Sequence, residues 1–410
     1  MSDSPAVVLS RWRGYSWLVA VLALVIVSTS NGMITSGLTV FDESLLEELG
    51  CSVSQLKTRD SITFLVGSLL VVGAGWLADR FGFKPLLLVG MALLGGGFLL
   101  YSQAQTLVQL YLLHFVFAAV IALAGNTISI VTAATWMPMR QGLAVGITVA
   151  GSSVGGMLIP PLLTALNTRF GWRTTMRMES LWPLVLLCVI ALVLRNRPKR
   201  GIADDETCRA TGADEGVPFR QVLRSPQYYQ VWLAGALTYF AVLALFSHLF
   251  LYLRSLDHDP VRASLGLSIF GLSSLLGKLA SGWLSDRASP YVLLRVQMFA
   301  MLAGLVGITL APDFVWVFLG LTGLGWGSLH TLYNVILLTL FGLRDAGKIN
   351  GSLSLGGGAG GGLGIYLTGI IHDAAGGYFA AFGMVCGVML LGTLLTLRLR
   401  PPGHGARASV

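Results

Sequence analysis

The sequence predicts an all-α integral membrane protein whose twelve transmembrane helices form two pseudo-symmetric six-helix bundles. Three observations carry that reading: a composition poor in charge, apolar runs of membrane-spanning length, and one polar stretch that divides those runs six and six. Of 410 residues, 54% are hydrophobic and 11% charged, with a mean hydropathy of +0.75. A soluble globular domain carries about 25% charged residues. Runs near ~20 apolar residues match the thickness of a hydrocarbon core when helical. A net charge of +8 would suggest nucleic acid in a soluble protein. No basic stripe interleaved with aromatics stands in a soluble segment, so the charge reads as basic loops on the cytoplasmic face.

In chain order the spans fall at 15–40, 58–78, 84–104, 106–133, 141–166, 174–194, 228–254, 262–284, 290–311, 313–341, 347–372 and 377–397. The N-terminal MSDSPAVVLSRWRGY enters an apolar run too long for the core of a signal peptide, so it reads as the approach to the first span. Residues 195–226 are charged and broken by proline and glycine, the signature of a linker. The expected organisation is an N-terminal bundle (1–194), a cytoplasmic linker (195–226), and a C-terminal bundle with a short tail (227–410). With both termini inside, 19 of the 27 Lys and Arg residues lie on the inner side and 7 outside (Lys57, Arg59, Arg169, Arg173, Arg177, Arg254 and Arg262), Lys278 being the remaining one. That bias places both termini and the linker in the cytoplasm, in a multi-pass protein of the cell's inner membrane.

Two glycine runs stand out, Gly151–Gly156 (GSSVGG) and Gly351–Gly364 (GSLSLGGGAGGGLG). A phosphate loop needs a lysine after its last glycine, and neither run has one. Inside membrane helices small residues let backbones approach closely. The runs occupy the fifth and eleventh spans, corresponding members of the two halves, where a rocking two-fold transporter would need its halves to slide. The four cysteines show no C-x-x-C spacing, the six histidines are far apart, and no H-x-x-x-H occurs. No metal, cofactor or enzymatic chemistry is therefore expected.

The eighth span, read from SIFGLSSLLGKLASGWLSDR, holds one formal charge, Lys278. A charge within a lipid-spanning helix costs at least ~2.5–3.5 kcal/mol, so it normally faces protein or a wet cavity. Lys278 lies ~7.5 Å from the middle of its span, deep for a snorkelling lysine. Its ammonium would attract an anion strongly in a low-dielectric pocket.

At Gly75 the chain reads GWLADRFGFK, and at Gly282 it reads GWLSDRASP, between corresponding spans of the two halves. This repeated phrase resembles the signature loop of the major facilitator superfamily, across all twelve spans. A narrower resemblance, to its monocarboxylate transporter and oxalate:formate antiporter branch, rests on LTVF at Leu38–Phe41, GWR at Gly171–Arg173 and the pattern Phe341–Phe382. The resemblance implies alternating access by two halves. It also implies a gate at the inner ends, formed by Asp79, Arg80 and Lys84 with Asp286 and Arg287 as partial partners. The chain departs from the branch at Ser36, where eukaryotic members carry lysine, at Ser274, where they carry an acid, and at Lys278, where arginine is usual. His114 stands where many proton-driven facilitators have arginine.

Other candidate substrate contacts follow depth and helical phase. His330 and Tyr333 form a stripe with Trp326 at i, i+4, i+7, level with Lys278. A tyrosine near that point lines the pocket in prokaryotic members of the branch, and His330 would carry any coupled proton. Packing as an interfacial aromatic is the alternative for Tyr333. Ser274 lies one turn from Lys278, and either donates to substrate or bonds its own helix. Asn31 and Thr35, one turn apart in the first span, and Asn126 in the fourth would complete the site, with helix packing the alternative for Asn126. His114, His248 and Tyr239 are further polar candidates. Arg169, Arg173 and Arg177 would draw anions to an outer mouth.

The function expected is secondary active transport of a small organic anion, a monocarboxylate, by alternating access with proton symport or anion exchange. The alternative is a proton-driven exporter of drugs or hydrophobic metabolites. It requires an acidic residue in the N-terminal spans, which are expected to lack one. A transport-dead membrane sensor is the reading from another class.

Overall fold

A computed structural model describes residues 13–137, 140–195, 216–285, 287–342 and 345–399, which are almost entirely helical. The first half contains α1 (Arg13–Asn31), α2 (Asp42–Leu49), α3 (Val53–Phe81), α4 (Phe83–Tyr101), α5 (Leu107–Ala124), α6 (Asn126–Trp136), α7 (Gln141–Phe170) and α8 (Trp172–Val193). After a single turn, α9 (Phe219–Val222), come α10 (Pro226–Ser255), α11 (Pro260–Ser285), α12 (Pro290–Leu310), α13 (Val315–Phe341), α14 (Ala346–Ala375) and α15 (Tyr378–Leu397). Among the described residues, 11 helical segments are long and apolar enough to cross a membrane. The expected span 347–372 is outside that set. Its helix forms over 30 residues, but glycine contributes little apolar surface.

The helix boundaries have local causes. Ser52 caps α3 by accepting from the Gln55 amide (3.3 Å), while Gln55 Oε1 accepts from the Ser52 amide (3.0 Å). Thr106 and Gln109 make the same reciprocal pair before α5. Each arrangement meets two amides that have no intrahelical acceptor. Gly82 (φ 83) and Gly171 (φ 75) turn the chain between successive helices in a conformation that L side chains resist. Asp259 caps α11 ahead of Pro260, its carboxylate accepting from the Arg262 amide at 2.9 Å. That bond holds the Asp259 carboxyl below its ordinary value of 3.8, with the neighbouring Arg262 charge adding to it.

Two expected spans are not continuous α-helix. The first passes from α1 into a π-helical segment, Gly32–Gly37, and a 3-10 turn, Leu38–Phe41, before α2. The fourth breaks at Gly125, whose extended backbone separates α5 from α6. The Ser30 hydroxyl of α1 is shared between the Ala124 carbonyl beside that break and the Ile26 carbonyl of its own helix, 2.9 Å from each. Irregular backbone survives in a membrane only when such groups are satisfied inside the protein.

The chain divides into two compact units, Met1–Asn196 with Leu253–Gly271, and Arg197–Tyr252 with Leu272–Val410. In the first unit α4 packs on α8 and α5, around Leu87, Met91, Leu94, Phe98 and Phe117. Arg254 donates to both carboxylate oxygens of Glu43 (2.8 and 2.9 Å), and Ser268 Oγ donates to the Met157 carbonyl at 2.7 Å. The 253–271 connection therefore groups with the first unit. In the second unit, the last part of the expected linker is docked: the Val217 amide donates to the Phe341 carbonyl (2.9 Å) and the Phe219 amide to Asp345 (2.8 Å).

The glycine runs serve contacts inside each unit. A Cβ at Gly151 or Gly155 would strike the Leu24 or Ser28 carbonyl of α1, and Ser28 Oγ donates to the Gly151 carbonyl at 2.9 Å. In the second unit, a Cβ at Gly360 or Gly364 would strike the Ala236 or Phe240 carbonyl of α10. Both runs sit at close backbone approaches, α7 on α1 and α14 on α10.

Candidate functional site

The second unit brings Lys278 and His330 within electrostatic reach of each other. The cause is a backbone crossing of α11 and α13. A side chain at Gly277 would strike the Leu324 carbonyl, and one at Gly327 the Ser274 carbonyl. Ser328 Oγ donates to the Gly277 carbonyl across the crossing (3.1 Å). Lys278 follows Gly277 directly, so its backbone is fixed where the helices meet. His330 lies three residues beyond Gly327 on the facing helix.

Aromatic groups adjoin His330. The Trp326 ring stands perpendicular to Tyr239 of α10, with centroids 4.9 Å apart, and 6.0 Å from His330. Lys278, His330, Trp326 and Tyr239 are all half-buried, whereas Ser274 is buried at the crossing. The result is a cationic group within electrostatic reach of an imidazole, with an indole against that imidazole and a phenol against the indole. Such a set can hold a carboxylate through charge and its apolar tail through the rings.

Tyr333 departs from the stripe expected of it. It is 2% exposed, and its hydroxyl lies 3.0 Å from Thr238 Oγ1 and 3.6 Å from Met298 Sδ. Thr238 Oγ1 donates to the Ala234 carbonyl, so Tyr333 is the donor in their bond. This hydroxyl joins α13 to α10 and α12. His248 is likewise a packed histidine, 3.1 Å from the Ile365 carbonyl and 3.4 Å from the Tyr378 hydroxyl.

In the first unit, Asn31 and Thr35 come together where α1 becomes π-helical, Thr35 Oγ1 donating to the Asn31 carbonyl at 2.5 Å. Both are half-buried. Asn126 opens α6 after the Gly125 break, and its buried Oδ1 has no hydrogen-bond partner among the described residues. Discontinuous helices of this kind commonly build transporter sites because they expose polar groups at membrane depth.

A buried charge cluster was not foreseen. Lys57 and Arg59, expected outside the helices or at their rim, lie within α3 and are fully buried. Asp42 pairs with both Lys57 and Arg59. Asp60 lies 3.4 Å from Lys57 and 3.3 Å from Arg59, and Arg59 also donates to the Tyr101 hydroxyl at 2.7 Å. His114 joins through Thr63, whose hydroxyl is 2.8 Å from Nδ1, while Nε2 has no partner among the described residues. Two cations and two anions make the cluster neutral. Asp42 and Asp60, with the buried Glu179 of α8, also correct the expectation that the N-terminal spans lack an acid.

The expected gate residues occupy helix ends. Arg80 stacks over Trp76 (5.5 Å) and Phe81 (5.4 Å), and Arg287 over Trp283 (4.0 Å). The repeated GWLxDR phrase thus yields the same Trp-to-Arg i,i+4 pair in both units. Asp79 is exposed, Lys84 donates to the Ala191 carbonyl at the end of α8 (2.7 Å), and Asp286 lies outside the described residues. Of the arginines expected at an outer mouth, Arg169 and Arg177 are exposed. Arg173 is instead engaged by Glu48 and by the carbonyls of Ser102 (2.8 Å) and Ala104 (2.9 Å).

The chain is 28% identical over 402 residues to monocarboxylate transporter 13 of Bos taurus, covering 94% of this chain and 89% of that one. It is 24% identical over 333 residues to the oxalate:formate antiporter of Oxalobacter formigenes, covering 80% and 78%. A crystal structure of a bacterial homologue of the human lysosomal transporter Spinster superposes with a TM-score of 0.71 at 16% identity, covering 92% of this chain and 95% of that one. The family model described as Major Facilitator Superfamily matches residues 17–361. With that match over most of its length, this multi-pass membrane transporter belongs to the Major Facilitator Superfamily.

Proposed function

We propose that the protein carries a small monocarboxylate across the cytoplasmic membrane by alternating access, with protons or a counter-anion as the coupled species. The observation that carries this reading is Lys278 held at the α11–α13 crossing beside His330. A carboxylate about 4 Å from the ammonium gains about 4 kcal/mol at an effective dielectric of about 20. Trp326 and Tyr239 would enclose its tail, and Ser274 would steady the backbone that presents Lys278. His330 would offer the carboxylate a ring N–H as a second donor. Tyr333 supports the site through packing. Asn31, Thr35 and Asn126 are proposed as the first unit's contribution. Asp79, Arg80 and Lys84, with Asp286 and Arg287, are proposed as the inner gate, with both termini in the cytoplasm.

The test is uptake of radiolabelled formate, acetate, lactate and oxalate into proteoliposomes, with and without a pH gradient. Saturable uptake of a monocarboxylate is expected. Transport of none of these acids, with efflux of an apolar cation instead, would replace this reading with the exporter. The buried acids Asp42, Asp60 and Glu179 are the observation that favours that second reading.

A further inference from the structure

We propose that Glu179 is the proton-carrying group of this transporter, taking up and releasing one proton per cycle at a site separate from the Lys278 pocket. The inference rests on the transport reading above and names its coupled ion. Glu179 lies ~5 Å from the middle of α8 at 1.5 Å per residue, well inside a hydrocarbon layer ~30 Å thick. It is 7% exposed, and both carboxyl oxygens are buried with no hydrogen-bond partner among the described residues.

The helices packed on α8 are α4, α7 and α1. Their charged and titratable groups are engaged elsewhere or lie at helix ends. Lys84 of α4 binds the Ala191 carbonyl, Tyr101 of α4 binds Arg59, and Tyr15 of α1 donates to the Val193 carbonyl (3.0 Å). Arg169 of α7 stacks on Phe170 (5.3 Å). On α8 itself, Arg173 is held by Glu48 and Arg177 is exposed. None of these donates to either carboxyl oxygen of Glu179.

An ionised carboxylate without a donor or countercharge is untenable in such surroundings, so the group holds its proton here. Releasing that proton requires α8 to move toward water or a cation. One turn on, Trp182 Nε1 donates to Thr29 Oγ1 of α1 (2.9 Å), two residues before Asn31. Movement of α8 at Glu179 therefore reaches the junction of α1 with the π-helical segment, where Asn31 and Thr35 meet.

The test uses the purified full-length chain. Glu179→Gln keeps the shape and neutrality of the protonated acid, so the fold should survive the change. In proteoliposomes the variant is expected to exchange a carried acid within about twofold of wild type. It should also lose the roughly tenfold accumulation per pH unit that one proton per anion supports. Independently of any substrate, dicyclohexylcarbodiimide, which attacks protonated carboxyls in apolar surroundings, should label Glu179, with labelling falling as the medium is made alkaline. Gradient-driven accumulation by Glu179→Gln, wild-type uptake indifferent to pH, or labelling absent or independent of pH would each overturn the proposal. If wild type carries none of the acids tested, the transport reading fails, while the labelling still decides whether Glu179 exchanges a proton.

Discussion

The crossing of α11 and α13 makes a quantitative demand on Gly277 and Gly327. A methyl group at either position would lie against a backbone carbonyl, that of Leu324 or Ser274, with no flexible side chain to yield. A carbon and a carbonyl oxygen rest about 3.3–3.6 Å apart, so the helices must part by roughly an ångström. Overpacking of this kind costs about 1–3 kcal/mol, and alanine returns about 1 kcal/mol of helix propensity. The net loss of stability is then only about 0–2 kcal/mol. The functional loss should be larger, because a displacement of an ångström at a positioning site can cost about a hundredfold. Thermal unfolding in detergent and anion uptake in proteoliposomes, measured on Gly277→Ala and Gly327→Ala, separate the two effects. Gly282→Ala is the control, since nothing lies within 4 Å of a Cβ there. We expect the control to transport normally and the crossing variants to lose at least about tenfold in rate while remaining folded. Wild-type transport by both crossing variants would refute the argument that backbone contact positions Lys278.

Other expectations concern the first unit and the helix ends. Arg59→Leu leaves Asp42 short of a buried partner and should destabilise by about 3–5 kcal/mol, seen as a lowered midpoint in thermal unfolding. The double variant Arg59→Leu, Asp42→Asn retains the Lys57–Asp60 pair and should recover part of that loss. Ser30→Ala removes the donor to the Ala124 carbonyl at the α5–α6 break, and a buried unmet carbonyl costs about 1–3 kcal/mol. At Asp259 the folded carboxyl titrates below its ordinary 3.8. Its stabilisation of the start of α11 is therefore present above that value and fades as pH falls through the lower folded one. Loss of amide protection at Arg262 in strong acid, absent from Asp259→Asn, checks it.

The spans were legible because length and hydropathy depend on neighbouring residues alone. Lys278 stood out for the same reason, as one charge in an otherwise uncharged run. The repeated GWLxDR phrase foretold equivalent helix ends, and Trp76–Arg80 and Trp283–Arg287 stack alike. What escaped depends on distant partners. Lys57 and Arg59 read as rim charges because Asp42, Tyr101 and His114, which justify their burial, come from other helices. Asp60 and the deep Glu179 carried a local signal, an acid inside an expected span, that went unused. Tyr333 was grouped with Lys278 by depth, yet its hydroxyl is taken by Thr238, 95 residues earlier in the chain. The π-helical turn after Asn31 has no periodic signature, and only the close approach of Gly32 to Gly155 reveals why the chain thickens there.

The most direct measurement of the central claim is carboxylate uptake by Lys278 variants in proteoliposomes, with protein folding verified for each. Lys278→Arg should retain preference for anions at altered affinity, because the charge remains while its geometry changes. Lys278→Ala should abolish uptake of the same acids. Undiminished carboxylate transport by Lys278→Ala would contradict the account.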